Sequence, residues 1–337
     1  MNHKKESLIS CDIDFNRDGK QFGTLAVPQS TNSAGWANYF IPICVIKNGE
    51  GPTAVMSGGN HGDEFEGPTT LMNLARTLEP DDIQGRVILI PMLNRPAVLA
   101  GTRLSPIDGV NMNRAFPGKP NDSITGMIAH YVGQEIIPLA DLVVDIHSGG
   151  SSMLFLPSVN MHRVENEQQM ERMLAAGKAW GAPYVLLYRD VAGEGLLPSY
   201  AEGLGKVTLG TELGSKSQFG APILNIAMTG VRNVLVWAEI LKAVPQSNVN
   251  STPIVIEADD PRDYIMAPVS GLFEPFVELG DAVETGQVVG QIHDLETIQR
   301  TPTSVVAATH GLVTARRAIP LTTQGECVVT LARVLDP

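Results

Sequence analysis

The stretch Thr53-Ala54-Val55-Met56-Ser57-Gly58-Gly59-Asn60-His61-Gly62-Asp63-Glu64 decides the fold of this chain. Its first half is a short apolar run that predicts a buried strand, and its glycines permit a tight turn. Residues 67–78 then carry apolar side chains at helical spacing. A buried strand that passes through a glycine turn into a helix is typical of an α/β domain.

Strands and helices continue to alternate from this stretch to residue 243. Apolar runs predict strands at 86–91, 141–146, 184–187 and 206–212, and helical periodicity predicts helices at 124–137, 164–180 and 229–243. Ser123 is the expected N-cap of the first of these helices. The alternation predicts a mixed, mostly parallel sheet covered by helices.

Residues before and after this region are predicted to be β-rich. Within residues 1 to about 50, residues 10–15 alternate polar and apolar side chains, and residues 40–46 form an apolar run. Residues 254–337 combine short apolar runs with Gly-Asp and Thr-Gly turns. The polar segment 244–253 is rich in Pro, Ser and Asn and is expected to be a linker. We therefore predict a catalytic domain over residues 1–245 and a smaller C-terminal β domain over residues 254–337.

The composition limits the possible functions. The 337 residues carry a net charge of −12 and contain no Lys/Arg-rich block, which argues against a nucleic-acid partner. The N-terminus lacks the apolar segment of a signal peptide, and no apolar run is long enough to span a membrane. The three cysteines are far apart in the sequence, as expected for a reducing compartment. A cytoplasmic protein is predicted.

Two histidines and a glutamate are candidate metal ligands. His61 and Glu64 follow the first predicted strand of the alternating region, and His147 follows the strand at 141–146. Ligands bind at the carboxyl ends of strands in open α/β sheets, so these side chains are expected to meet. Each residue alone could be an ordinary polar loop residue. Together they form the ligand set of a catalytic zinc site, which leaves one position open for water. One Zn²⁺ per chain is predicted.

Four more residues are candidates for the chemistry of a zinc hydrolase. Glu212 ends a predicted buried strand at the same edge and is the candidate general base. Arg114 is suited to binding a substrate carboxylate through two hydrogen bonds, and Asn113 can add a donor. Arg103 could stabilise the oxyanion that develops on an attacked carbonyl. From the residues alone, the arginines could equally pair with surface acids such as Asp108.

Four motifs together resemble the succinylglutamate desuccinylase/aspartoacylase family, which is related to the zinc carboxypeptidases. They are Gly59–Glu64, Asn111–Gly118, Asp145–Gly149 and Thr211–Gly214, in the order of the family. The resemblance implies zinc bound by His61, Glu64 and His147, with Glu212 as base. It further implies that Arg103 polarises the carbonyl, that Asn113 and Arg114 hold the carboxylate, and that a β domain follows a carboxypeptidase-like α/β domain.

The resemblance implies a deacylase of N-acyl amino acids, and two alternatives stay open at this point. A metallocarboxypeptidase would need the same carboxylate clamp, and a non-catalytic binding or assembly module would use the C-terminal segment alone. That segment resembles the hammerhead of lipoyl carrier domains at 267–275 and 279–292, but it lacks the lysine that a carrier requires. It is expected to cover the pocket or to mediate assembly into a homo-oligomer. His293 and His310 in this segment are expected to be structural.

One stretch departs from the expected pattern. The family resemblance implies glycines after Thr211–Gly214, whereas this chain has Ser215-Lys216-Ser217-Gln218. A loop at this place would border the substrate, so the acyl amino acid stays open.

Overall fold

The computed structural model describes residues 7–189, 195–243 and 252–335. The strands in these residues are β1 (Ser10–Cys11), β2 (Gly19–Thr31), β3 (Ala34–Asn48), β4 (Thr53–Gly58), β5 (Gly85–Ile90), β6 (Leu142–Ile146), β7 (Met153–Phe155), β8 (Ser158–His162), β9 (Tyr184–Tyr188), β10 (Val207–Glu212), β11 (Ile254–Ala258), β12 (Tyr264–Met266), β13 (Gly271–Pro275), β14 (Ala282–Val283), β15 (Val288–His293), β16 (Thr303–Val306), β17 (Gly311–Arg317), β18 (Leu321–Thr322) and β19 (Cys327–Val334). The α-helices are α1 (Glu66–Thr77), α2 (Arg95–Ala100), α3 (Ile124–Tyr131), α4 (Glu167–Trp180), α5 (Leu197–Gly203) and α6 (Ala221–Trp237).

A large mixed sheet runs through the molecule in the order β1-β2-β3-β5-β4-β6-β10-β8-β9-β11-β19-β17-β14. Its central strands β5, β4, β6 and β10 are parallel to one another, β8 runs antiparallel to β10, and β9 and β11 are parallel to β8. A separate four-stranded antiparallel sheet has the order β16-β15-β13-β18. The predicted fold, a mixed α/β sheet with a smaller β region after it, is confirmed.

Both faces of the central sheet are covered, which is why its strands are apolar on both sides. On β4, the side chains of Ala54 and Met56 pack with α1, α4 and α6, whereas Val55 packs on the opposite face with α3, α5 and the β2–β3 hairpin. All six residues of β4 are buried. The quoted stretch therefore forms a central strand, as its continuous apolar run predicts.

The parallel register brings the candidate residues to one edge of the sheet. Gly58 at the end of β4 pairs with Ile146 at the end of β6, and Gly210 of β10 pairs with Asp145 of β6. The segments that follow β4 and β6 therefore begin side by side, next to the last residue of β10. The sequence-based expectation of a shared carboxyl edge is confirmed.

Several element boundaries differ from the sequence-based predictions. The helix predicted at 229–243 spans Ala221–Trp237, since Pro222 occupies its first turn, where proline is well tolerated. The helix predicted at 124–137 does begin after an N-cap at Ser123, but α3 ends at Tyr131 and continues as irregular helical turns that contain Pro138. β8 was not predicted, because Ser158–His162 has no extended apolar run.

The C-terminal strands continue the main sheet. β11 is parallel to β9, and β19 pairs with β11. Residues 244–251 of the predicted linker lie outside the described residues, and the division into domains 1–245 and 254–337 stays a prediction. Among the residues that the structure describes, no helix combines the length and the apolar character that a membrane crossing requires.

Candidate active site

His61, Glu64 and His147 form a compact buried group at the carboxyl edge of the sheet. Each of them offers a donor atom, and these atoms all lie within 4.8 Å of one another. The Glu64 carboxylate lies between the two rings, with Oε1 2.7 Å from His61 Nδ1 and Oε2 2.8 Å from His147 Nδ1. His61 and His147 are 86 positions apart in the sequence, yet together with Glu64 they place three donor atoms around one point. This arrangement could hold a metal ion.

The turn between β4 and α1 depends on glycines. Gly59 has φ +63°, a conformation that side chains rarely adopt, and a Cβ on Gly62 would lie 1.9 Å from the Ala97 carbonyl carbon. The turn places His61 and Glu64 on one side, three residues apart, so that both reach the edge of the sheet.

The opposite nitrogen of each ring is held by a neighbouring oxygen. His147 Nε2 lies 2.7 Å from Asp145 Oδ2, and His61 Nε2 lies 3.1 Å from Asn111 Oδ1. An Nε2–H that donates to each of these oxygens leaves the Nδ1 lone pairs directed at the Glu64 carboxylate. Two lone pairs and a carboxylate that face each other repel unless a proton or a metal ion lies between them, and with a metal ion there these residues fit a divalent metal.

The charges around the group favour a cation as well. Burial would raise the pKa of Glu64, but the two imidazoles outweigh it and lower that pKa. Burial lowers the pKa of His61 and so favours the neutral, ligating ring. Burial acts on His147 in the same direction, but Asp145 and Glu64 outweigh it and raise its pKa. A proton and a metal ion therefore compete for the position between His147 and Glu64.

Glu212, the last residue of β10, lines the cavity beside this group. Its Oε2 is buried and has no hydrogen-bond partner among the described residues. Burial, together with the charge of Glu64, raises the pKa of Glu212 to about 8. A buried carboxylate oxygen without a partner is costly, and such groups mark sites where a ligand or a proton transfer uses them.

The two predicted arginines and Asn113 line the same cavity. The side chain of Arg103 is 46% exposed, and its Nη1 lies 3.5 Å from Glu64 Oε1 and 3.3 Å from His61 Nδ1. Arg114 Nη1 donates to the backbone oxygen of Asn113 at 2.6 Å. Asn113 Oδ1 accepts from the backbone N–H of Leu197 at 3.1 Å, which leaves its amide N–H groups as the donors for a ligand. The structure therefore brings all seven predicted site residues together.

The cavity has a volume of about 400 Å³ and is closed on one side by the C-terminal strands. Tyr264 of β12, Thr314 of β17, and Cys327 and Thr330 of β19 belong to its wall. The expectation that the C-terminal segment covers the pocket is confirmed for these residues. His293 instead contacts the exposed Glu274 at 2.7 Å, away from the cavity wall.

The described side chains of the loop expected to border the substrate lie outside the cavity wall. None of the described side chains at Ser215, Ser217 and Gln218 belongs to the cavity wall, and Ser215 Oγ lies 2.8 Å from Ser217 Oγ. Gln218 Oε1 instead lies over Gly214, 2.6 Å from the position that a Cβ on this glycine would have. The described side chains that replace the expected glycines therefore do not form part of the wall of the active-site cavity.

Two supporting residues were not singled out from the sequence. Asn111 orients His61, and Asn60 donates to both Asp145 Oδ2 (2.8 Å) and Asn113 Oδ1 (3.4 Å). Asn60 thereby links the carboxylate behind His147 to the candidate carboxylate clamp. Their positions inside the quoted motifs, directly beside His61 and two residues before Asn113, are the only sequence signal that could have identified them.

The fold and the site define an enzyme of the hydrolase class, with a small-molecule cavity at the carboxyl edge of a mixed sheet. Comparison with known proteins agrees with this class. Residues 50–238 match the succinylglutamate desuccinylase/aspartoacylase catalytic domain. The chain belongs to the succinylglutamate desuccinylase/aspartoacylase family, whose members hydrolyse N-acyl amino acids.

Three relatives match nearly the whole chain. The N-alpha-acetyl-L-2,4-diaminobutyric acid deacetylase of Halomonas elongata is 38% identical over 334 residues, which cover 99% of this chain and 97% of the relative. A succinylglutamate desuccinylase/aspartoacylase structure from Rhodobacter sphaeroides has a TM-score of 0.93 at 38% identity and covers 98% of this chain and 100% of that chain. The product-bound ectoine utilization protein EutE (DoeB) of Ruegeria pomeroyi has the same TM-score and identity, with coverages of 98% and 99%.

Proposed function

We propose that this protein hydrolyses the amide bond of Nα-acetyl-L-2,4-diaminobutyrate, in the degradation of ectoine, with one zinc ion per chain. The observation that carries the reaction is the buried His61–Glu64–His147 group beside Glu212, whose Oε2 has no partner among the described residues. The choice of substrate is supported by the Halomonas elongata deacetylase and by the likeness to EutE. A cavity of about 400 Å³ is suited to a small ligand of this kind.

His61, Glu64 and His147 would hold the zinc ion. When bound, zinc acts as a Lewis acid on the acyl carbonyl and lowers the pKa of a coordinated water molecule. Asp145 and Asn111 fix the two imidazoles in the orientation that directs Nδ1 at the metal position.

The other residues act on the substrate. Arg114 and Asn113 bind the α-carboxylate and fix the position of the amide bond. Glu212 removes a proton from the attacking water, whose oxygen forms the new bond to the acyl carbon. Arg103 donates to the oxygen that becomes negative. When the C–N bond breaks, its electron pair goes to the nitrogen, and Glu212 delivers the proton to this amine. The products are acetate and 2,4-diaminobutyrate.

A carboxypeptidase would use the same groups on a peptide. The C-terminal strands close one side of the cavity, which opposes a long peptide and favours a small substrate. The cytoplasmic location and assembly into a homo-oligomer stay predictions.

The test is a substrate panel combined with one substitution. Purified protein with stoichiometric zinc is assayed on Nα-acetyl-2,4-diaminobutyrate, N-acetylaspartate, N-succinylglutamate and a short peptide, with the first expected to have the highest kcat/KM. Glu212→Gln is expected to retain zinc and to lose roughly 10²- to 10⁴-fold in kcat, because it cannot transfer the proton. Glu284→Gln makes the same chemical change at an exposed position and is expected to keep full activity. Full activity of Glu212→Gln would rule out Glu212 as the base.

A further inference from the structure

Asn160 in the middle of β8 is a buried polar side chain in the wall of the active-site cavity. It is 9% exposed. No hydrogen bond to its carboxamide occurs among the residues that the structure describes. A carboxamide offers two donors and an acceptor, which are available to a ligand in the cavity. Such a side chain, directed at a cavity, is expected to bind what enters it.

The strand register places Asn160 next to Glu212. Asn160 pairs with Gly210 on β10, and Glu212 lies two residues further along that strand. Side chains two residues apart on a strand point to the same face, so Asn160 and Glu212 face the same cavity. Gly210 provides the space, since a Cβ on this residue would lie 2.1 Å from Asn160 Oδ1. The Asn160 carboxamide therefore packs against the backbone of Gly210, next to the candidate base Glu212.

The surroundings indicate which part of the substrate meets Asn160. Arg103 is assigned to the acyl oxygen, and Arg114 with Asn113 to the α-carboxylate, so Asn160 is left to bind another part of the substrate. An acetyl methyl group could not form hydrogen bonds with a carboxamide. The substituent on the amino acid is the part of the substrate that varies, and the side chain of the proposed substrate carries an ammonium, which can donate to the Asn160 oxygen.

We propose that Asn160 binds the side chain of the substrate and selects one that carries an ammonium group, which donates to Asn160 Oδ1. This inference rests on the proposed function, because it assumes that the cavity binds an N-acyl amino acid. A residue of β8, which lies outside the four motifs of the family resemblance, would thus determine which substrate side chain the enzyme accepts.

The test compares two substrates that differ only in the side-chain amine. Wild type and Asn160→Leu are assayed on Nα-acetyl-2,4-diaminobutyrate and on Nα-acetyl-2-aminobutyrate, which has the same carbon chain without that amine. Leucine has a similar size but no polar atoms. The variant is expected to lose roughly 10- to 100-fold in kcat/KM on the diaminobutyrate substrate, as for other sites built to bind a polar substrate group. Activity on the aminobutyrate substrate is expected to stay within about threefold of wild type, because that substrate has no group for Asn160 to bind.

The outcomes separate the two proposals. An equal loss on both substrates would overturn the role of Asn160 while the deacylase function stands. If wild type hydrolyses none of these substrates, the proposed function fails and the inference fails with it. Zinc content and thermal unfolding show whether Asn160→Leu is folded. If it is not, Asn160→Ser replaces it and is expected to show the same substrate-dependent loss, with equal losses again overturning the role.

Discussion

Replacing Asp145 by asparagine tests whether the carboxylate behind His147 prepares the metal position. Asp145 is completely buried. Its Oδ2 lies 2.7 Å from His147 Nε2 and accepts from Asn60 Nδ2 at 2.8 Å, and its Oδ1 accepts from Ser57 Oγ at 2.7 Å. Burial would raise the pKa of Asp145, but the charge of His147 and these hydrogen bonds hold it below its usual value. The carboxylate is therefore charged at neutral pH.

Asparagine keeps the shape but removes the charge. Its oxygen can still accept from His147, with the amide nitrogen turned to Ser57, whose hydroxyl can rotate to accept. A neutral hydrogen bond is about half as strong as a charge-assisted one, so the imidazole becomes a weaker ligand. Losing such a partner lowers metal affinity by roughly 10- to 100-fold. This corresponds to about 1.4 to 2.8 kcal/mol.

The assay is a competition titration of zinc between the protein and a chromophoric chelator at neutral pH. Thermal unfolding of the metal-free proteins shows whether Asp145→Asn retains the fold. Ser57→Ala is the matched control, because it removes the donor to Oδ1 and leaves both contacts of Oδ2 intact. We expect a smaller loss of affinity for Ser57→Ala than for Asp145→Asn. Unchanged zinc affinity in Asp145→Asn, or equal losses in both variants, would refute the reasoning.

Three further predictions concern the carboxylate-binding residue Arg114, the competition between a proton and zinc at His147, and the packing of the core around Gly230. Arg114→Lys is expected to raise KM roughly tenfold or more, because lysine cannot form two parallel hydrogen bonds to a carboxylate; steady-state kinetics measure this, and an unchanged KM would remove Arg114 from the clamp. Zinc affinity is expected to fall about tenfold for each pH unit below the raised pKa of His147, since the ion must displace that proton; a flat profile in the same titration would contradict this. Gly230→Ala is expected to lower the free energy of unfolding by about 1–3 kcal/mol, because its Cβ would lie 1.9 Å from the buried indole nitrogen of Trp180. Urea denaturation tests this against Gly203→Ala, where a Cβ meets nothing within 4 Å, and equal stabilities would disprove the steric argument.

Much of the fold could be predicted because its signals are local. The continuous apolar run of β4 and its glycine turn lie within a dozen residues, and so do the runs that end at His147 and Glu212. Boundaries were less predictable near proline, as in α6, which begins at Ala221, eight residues before the predicted start, and has Pro222 in its first turn. β8 was missed for a related reason, since Asn160 interrupts its apolar pattern.

The sequence by itself determined the candidate ligands and their meeting place, because strand ends and residue chemistry are readable from short stretches. Only the tertiary structure decided how the rings are turned, since Asn111 lies 50 residues from His61 along the chain and meets it only through the fold. The antiparallel pairing of β8 with β10, which places Asn160 over Gly210, is likewise a result of sheet order. The same is true of the C-terminal strands that close the cavity. Contacts between distant segments depend on which strands become neighbours, and a local pattern of side chains does not encode that choice.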